Sequence, residues 1–506
     1  MKKLTLTCLM AVICFSLFGQ TINVLKENVV KAQWAPYLTA GQLESADNHV
    51  YLYYTDNTVW SAAKPVNDVI YCVDKDALTV SEITIQHLNS YNFIDMYEDE
   101  DNLYVLYSEW QNKTKTYSLY LNAFEKNAKT AKWHPDEVLS VTTEKRDGLY
   151  LYHAVSPDKS MMAFTLLAAS RKGDFKGSVV MTYGQHGEKL WENELNFDFA
   201  NKTFSLLDFV LDNNGVTYSA VSSYTDVTRT SRSDESLQIV MVSADDSKVY
   251  EERIDFGYLS SSKMMVNRKG LVVLGGFYCD NLSNNEAGSY MVMIDPERGD
   301  ISIDKTEFPS DYYAGKAAFG IPAPKSFATK AQYIEEYSDG TLLLLGEMRA
   351  SVAYTDSRGM TTYRFYAKNI PVVYADASGK INDFAVIEKN QMASSGTNSP
   401  TIFLRGQGFS YVPVMYNDQV YIFYDDAVEN YTGKSGMVSK PSYAPAHASV
   451  YCSIVPGQPI KTKAILNGKV SKYRLTIPIL MDNGYVLGIG TNKKKMGDIV
   501  KINYDF

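Results

Sequence analysis

The chain has 506 residues, of which 45% are apolar, 13% aromatic and 21% charged; that is enough apolar material for a large core and excludes a disordered chain. With 49 basic and 58 acidic residues its formal charge is −9, which argues against generic attraction to nucleic acid or anionic lipid. Five cysteines are too few for a scaffold built on disulfides, so the fold must rest on its packing.

Met1, Lys2 and Lys3 give a positive start, Leu4 to Phe18 is an almost unbroken apolar run, and Gly19 precedes polar Gln20. This pattern predicts a signal peptide over 1–19. The run is shorter than the roughly 20 residues that span a bilayer, so cleavage is expected instead of anchoring. Neither Cys8 nor Cys14 follows the small-residue box of a lipoprotein. The mature chain then loses Lys2 and Lys3, keeps Cys72, Cys279 and Cys452 as expected buried thiols in strands, and is exported, periplasmic or secreted, with no transmembrane helix.

From Val50 onward no stretch shows a convincing 3.6-residue apolar period. Short runs such as Val50 to Tyr54, Leu237 to Val242, Leu271 to Leu274 and Leu342 to Leu345 predict strands. Their successive apolar positions require cover on both faces. Turn-forming clusters precede apolar strands at Asp47-Asn48, Asp101-Asn102, Ser156-Pro157-Asp158, Asp212 to Gly215, Arg268 to Gly270, Ser338 to Gly340, Asn417-Asp418 and Asp482 to Gly484. A second turn closes many units, at Asp74 to Asp76, Gly184 to Lys189, Asp245-Asp246, Asp295 to Gly299 and Asp376 to Lys380. Each unit reads as four strands, a to d, and such units repeated radially predict an all-β chain. The expected fold is a single β-propeller over 20–506 with eight four-stranded blades, or seven. After Asn483 only two strands remain, so the last blade lacks d, and Asn23 to Trp34 is placed to supply it and remove an open edge.

Ser156-Pro157-Asp158-Lys159-Ser160 ahead of Met161 to Leu167 resembles the blade-opening turn of WD40 and TolB-like propellers. Gly187-Glu188-Lys189-Leu190-Trp191 resembles the end of a quinoprotein propeller repeat. Nearly the whole mature chain is similar to uncharacterised exported propellers of Gram-negative bacteria, a resemblance that implies a fold and no substrate. An alternative architecture is an outer-membrane β-barrel, because Val500 to Phe506 alternates and ends in Phe; the non-alternating runs Leu342 to Leu345 and Ile239 to Val242 oppose it.

In a four-stranded blade the a–b and c–d turns share one face, and the b–c loops and d–a connectors share the other. The long segments fall in the second set: Tyr224 to Glu235, Asp280 to Gly288, Tyr354 to Thr362 and Asp425 to Pro445 as b–c loops; Ala128 to Gly148, Pro309 to Lys330 and Gln391 to Phe409 as connectors. Long loops on a rigid scaffold are where binding is usually placed. They carry Tyr224, Arg229, Arg232, Tyr312, Tyr313, Phe319, Tyr354, Arg358, Arg405, Tyr431, Tyr443 and His447, residue types that give large rigid contacts and directional donors. The expected function is a binding module for a protein, glycan or envelope component.

No His is followed by Glu, and there is no Cys-x-x-Cys, Gly-x-Ser-x-Gly or complete phosphate loop, so no metal, cofactor or nucleophile is predicted. Asp95 to Asp101 lacks the glycine of a calcium loop and reads as a solvated turn. The alternative function is a carbohydrate hydrolase or lyase using Glu335-Glu336 with Glu347, or Asp425-Asp426 with Glu429.

Overall fold

The computed structural model describes residues 22–30, 41–44, 48–55, 65–88, 91–131, 133–142, 149–169, 175–184, 187–195, 203–226, 228, 230–282, 285–309, 312, 328–395, 410–427, 430, 440–441, 447–467, 473–482, 485–492 and 497–503. The strands among them form eight separate sheets, antiparallel except for two short parallel pairings, Val80–Leu88 with Thr130–Ala131 and Gln391–Ser395 with Lys440–Pro441. Taken in chain order these are blades 1 to 8, spanning 41–88, 91–142, 149–195, 203–253, 258–307, 328–387, 412–467 and 473–503. The last is completed by Ile22–Val30, which pairs with Gly497–Asn503, Ile22 opposite Ile502 and Val24 opposite Val500. The first and last described strands therefore meet in one sheet, as the missing fourth strand requires.

Packing explains the apolar runs. Successive side chains of a strand point to opposite faces, and here each face meets a different neighbour. Leu343 and Leu345 join Val420, Ile422 and Val450 of blade 7, whereas Leu342 and Leu344 join Val273, Phe277 and Met291 of blade 5. Apolar clusters of this kind link 1 to 2, 2 to 3, 3 to 4, 4 to 5, 5 to 6, 6 to 7 and 7 to 8. An eighth packs Tyr485, Leu487 and Ile499 of blade 8 on Val50, Leu52 and Val73 of blade 1, and Tyr485 Oη donates to Lys75 O at 3.4 Å. The ring is closed: the chain is an eight-bladed β-propeller, and eight discrete sheets replace the single cylinder that the barrel alternative needs.

Tight turns follow a repeated chemistry. Asp212 Oδ1 accepts from the N–H of Asn214 and Val216, Asn267 Oδ1 from Lys269 and Leu271, and Asp376 Oδ1 from Ser378 and Lys380. The fourth residue of each is a glycine with φ of +78°, +78° and +84°, a conformation that costs other residues about 1–3 kcal/mol. A Cβ on Gly270 would meet nothing within 4 Å, whereas one on Gly379 would lie 2.3 Å from Met293 Cγ. Gly270→Ala should therefore cost about 1 kcal/mol. Overlap should raise Gly379→Ala to about 2–3 kcal/mol, read from denaturant midpoints of the two variants.

Two elaborations depart from the expected pattern. The segment from Ala128 to Gly148 is not a bare connector: Thr130–Ala131 pairs alongside Val80–Leu88 as a fifth strand of blade 1, and Asp136–Thr142 is the outer strand of blade 2. In blade 6, Leu342–Thr355 serves two pairings. Leu342 to Leu345 pairs within the blade, and Arg349 to Thr355 runs on into a hairpin with Thr361–Ala367. That hairpin continues to Gln391–Ser395, so Tyr354 to Thr362 is its tip and Gln391 begins a strand.

Candidate functional site

Connection lengths separate the two ends of the ring. The a–b and c–d turns have two to six residues, with one exception in blade 2, while four connections at the other end, 225–235, 308–327, 388–411 and 428–446, have 11, 20, 24 and 19. The blade 6 hairpin projects at this elaborated end, because its first strand runs away from the tight a–b turn at Tyr337 to Thr341.

Buried ionisable groups divide between the ends by role. At the tight-turn end they hold turns: Asp99 accepts from the N–H of Asp101 and Asn102, and Glu336 accepts from Arg268 N at 2.8 Å. At the elaborated end Glu235, Glu286, Glu347, Lys389, Asp425 and Asp426 are buried. A buried charge must be paired and hydrogen-bonded or it is severely destabilising.

One such node lies between blades 4 and 5. Arg232 stacks on Tyr224 with its guanidinium carbon 4.4 Å from the ring centroid. It donates through Nη1 to Glu235 Oε1 at 3.0 Å and to Leu259 O at 3.3 Å, and Ser222 Oγ donates to the same Glu235 oxygen at 2.5 Å. The loops holding these groups are tied together by Leu282 N to Thr230 O, and Glu286 accepts from Thr329 N at 2.8 Å. Burial and then Glu286 push the nearby Cys279 thiol up to about 11, against the pull of Arg232, so it stays protonated at neutral pH.

The other node lies between blades 6 and 7. Glu347 follows Gly346 in the long strand and is fully buried; its oxygens take the Lys389 ammonium, Arg349 Nε at 2.7 Å, Ser410 Oγ at 2.6 Å and Gln332 Nε2 at 3.1 Å. Lys389, fully buried, also donates to Gln391 Oε1 at 2.9 Å, which in turn accepts from Ser410 N at 2.8 Å. Burial alone would push the Glu347 carboxyl up, but Lys389 and Arg349 override it and hold it below its ordinary value. The network ties a strand of blade 6 to the start of the 388–411 connection and to its far end at Ser410.

Of the sequence-predicted residues, Tyr224 and Arg232 are brought together. Tyr312 is buried against Phe308 and Phe384 at 4.3 and 5.7 Å, a packing position instead of a contact surface. Tyr354 carries Arg364 over its ring at 4.2 Å, and Arg358 is exposed at the hairpin tip. His447 opens the strand His447–Ile454. Arg229, Tyr313, Phe319, Arg405, Tyr431 and Tyr443 lie outside the described residues. Sequence reading missed Glu235, Glu286, Lys389 and Ser410; the available signal was Lys389-Asn390-Gln391 directly after the apolar end of Ile381–Ile387.

The proposed acid pairs fare differently. Glu335 and Glu336 face Leu343 and Leu342, whereas Glu347 faces Lys330, five to six residues along the strand. Measured along the partner strand, past a bulge between Ala331 and Tyr333, that is roughly 13–17 Å, beyond the separation at which two carboxylates share a glycosidic bond. Glu429 lies outside the described residues, and Asp425 and Asp426 are engaged by Ser449 Oγ at 2.8 Å and Asn430 Nδ2 at 2.9 Å. Asp95 to Asp101 is not a simple solvated turn: Asp95 meets His153 Nε2 at 3.0 Å, Glu98 meets Lys126 Nζ at 2.9 Å, and Asp99 is buried. Cys72, Cys279 and Cys452 are buried, in three different blades. Among the described residues no helix is long and apolar enough to cross a membrane.

The class is thus a β-propeller with one elaborated end. No family model and no curated protein matches the chain. Solved structures similar to it include the β-propeller domain of the Trilobed protease from Pyrococcus furiosus, at 8% identity over 70% of this chain and 96% of that one, TM-score 0.33. Penicillium chrysogenum alpha-L-arabinanase is similar at 9% identity over 64% and 93%, TM-score 0.34. A protein of unknown function from Bacteroides caccae is similar at 10% identity over 63% and 90%, TM-score 0.27.

Proposed function

We propose that this propeller is an exported binding module that engages a protein, glycan or envelope component through its elaborated end. The observation that carries this reading is the coincidence of the long connections with the buried charge networks at their roots. A loop that only covers hydrophobic surface needs no buried Glu347–Lys389 pair, whereas a loop held in one conformation for recognition gains from such an anchor. The acid pairs expected of a hydrolase are not brought within reach of one bond at Glu335, Glu336 and Glu347, and nothing here favours that alternative.

The test uses the buried state of the three native thiols, which leaves an introduced surface cysteine as the selective target. Ser357→Cys, at the hairpin tip, and Glu297→Cys, in a tight turn of the opposite end, are each coupled to a bulky polyethylene glycol maleimide. Retention of envelope extract components by the immobilised chain should fall at least tenfold with the first label and stay unchanged with the second. Equal retention with both labels, or loss only with the second, defeats the assignment. N-terminal sequencing of the exported chain tests cleavage after residue 19.

A further inference from the structure

The hairpin that leaves blade 6 for the elaborated end carries an unusual set of charges. Over residues 350–367 its only ionised side chains are Asp356, Arg358 and Arg364, two cations against one anion in a chain of formal charge −9. Asp356 Oδ1 is occupied by the turn, accepting from Arg358 N and Met360 N at 2.9 Å each. Arg358 and Arg364 are both exposed. Arg232, Arg268, Arg298 and Arg349 each meet a carboxylate, whereas neither hairpin arginine does so among the described residues. An acidic protein thus presents two guanidinium groups without counter-ions on a projecting arm, where a partner can reach them.

Arg364 is also held in place. It stands opposite Val352 on the hairpin face that carries Tyr354 and Tyr366, because residues two apart on a strand share a face. Its guanidinium carbon lies 4.2 Å from the Tyr354 ring centroid, and Tyr354 Oη is 3.4 Å from the hydroxyl of buried Tyr366. A guanidinium stacked in this way loses little further freedom when its N–H edge meets a carboxylate, a contact its planar fork makes bidentately. At the turn, Met360 is 69% exposed, more than any other large apolar side chain among the described residues.

Tyrosine, arginine and methionine with few acids or lysines is the composition of a protein-interface core. Other occupants fit less well. A sugar ring stacks on an open aromatic face, and Arg364 already covers one on Tyr354. A bilayer would meet Met360 as the only large apolar side chain of 355–361, among Ser357, Arg358 and Thr361, too little apolar area to insert.

We infer that this hairpin is the arm that docks an acidic partner polypeptide, with Arg358 and Arg364 taking carboxylates of its Asp or Glu side chains and Met360 packing on apolar side chains between them. The inference deepens the proposed function and rests on it, naming protein as the partner of the elaborated end.

The experiment measures binding of the full mature chain to three immobilised probes: a random copolymer of Glu and Tyr, polygalacturonate, and vesicles of phosphatidylglycerol. The copolymer should bind at least fivefold more tightly than either of the others, despite the like net charge of the chain. Raising the salt from about 0.05 M to about 0.5 M should weaken that binding at least fivefold. Arg358→Gln and Arg364→Gln should each weaken the copolymer at least threefold, and the double variant at least tenfold. Met360→Ser should bring the copolymer down toward polygalacturonate. Lys269→Gln removes one positive charge from an exposed turn at the opposite end and should leave binding unchanged. Melting temperatures close to the parent's show that the variants are folded; should Arg364→Gln melt early through loss of its stack on Tyr354, Arg358→Gln in the turn decides. No binding of the copolymer, equal or tighter binding of polygalacturonate or vesicles, full binding by the folded double variant, or an equal loss in Lys269→Gln overturns the inference. If the Ser357 label blocks envelope capture while the copolymer fails, the acidic partner alone is wrong; if that label has no effect, the reading of the elaborated end fails first.

Discussion

Removing residues 22–30 from the mature chain is expected to lower its melting temperature by about 5 °C. The nine-residue strand Ile22–Val30 is the outer strand of blade 8, and its loss exposes the edge of Gly497–Asn503. It also strips Leu25 from the cluster that packs blade 8 on blade 1. Several kcal/mol of ladder and packing are lost, and a kcal/mol shifts the midpoint by about 1 °C in a chain of roughly 500 residues. The exposed strand is in addition a template for intermolecular pairing, so the truncated chain should associate at concentrations where the parent is monodisperse. A synthetic peptide of residues 20–34 should restore the melting temperature in trans. Coincident thermal melts for the two chains, with no rescue, would show that closure does not depend on this strand.

Breaking the buried pair in blade 6 should have an effect of similar size without changing the ring. Glu347→Ala leaves the Lys389 ammonium buried without its carboxylate and should cost about 3–5 kcal/mol, whereas Lys389→Ala leaves the carboxylate paired with Arg349 and should cost less. The double variant Glu347→Ala with Lys389→Ala should cost less than the sum of the singles, because the Lys389 ammonium is then not stranded. Denaturant titrations of the four proteins measure this coupling. The pH dependence carries a defined sign. Because the folded carboxyl of Glu347 is held below its ordinary value of 4.5, its contribution is present above the ordinary carboxylate range and is lost as pH falls through the folded value. Lys389 acts in the alkaline range: burial pulls its pKa down despite Glu347, so stability contributed at that site rises as pH approaches 10.5 from below. Glu347→Gln should therefore flatten the acid limb of the stability profile, and an unchanged limb would refute the pairing.

Much of the ring was legible along the chain because its cause is local. Asp212-Asn213-Asn214-Gly215 and Asp376 to Gly379 are turns on their own chemistry, a side-chain acceptor at the first position and glycine where φ must be positive. The run Leu342 to Leu345 reports a strand covered on both sides, since alternation would have left one face for water. Four strands between recurrent turns, and three at the end, are enough to count blades and to expect the closing strand. The same reasoning misread Ala128 to Gly148, whose strand Asp136–Thr142 is too polar to stand out: it lies on a blade's outer edge, where burial is low and the apolar signature is weak.

The candidate site was less legible, and Tyr312 shows why. An aromatic residue on a long connection has one sequence signature whether it faces a ligand or plugs a gap beside Phe308 and Phe384, and only the packing separates the two. Glu347 meets Lys389 across 42 residues and Arg232 reaches the carbonyl of Leu259 across 27. Nothing in the spacing announces either contact.

Strand periodicity, turn chemistry and the unfinished final unit were sufficient by themselves to point to an all-β repeat of eight blades, or seven, closed by an N-terminal strand, since each depends on residues adjacent in the chain. Which charged groups are buried together, and which aromatic side chains remain at the surface, was decided only when the ring closed. Those contacts arise between blades, and their energies depend on desolvation and on partners that the linear order keeps apart.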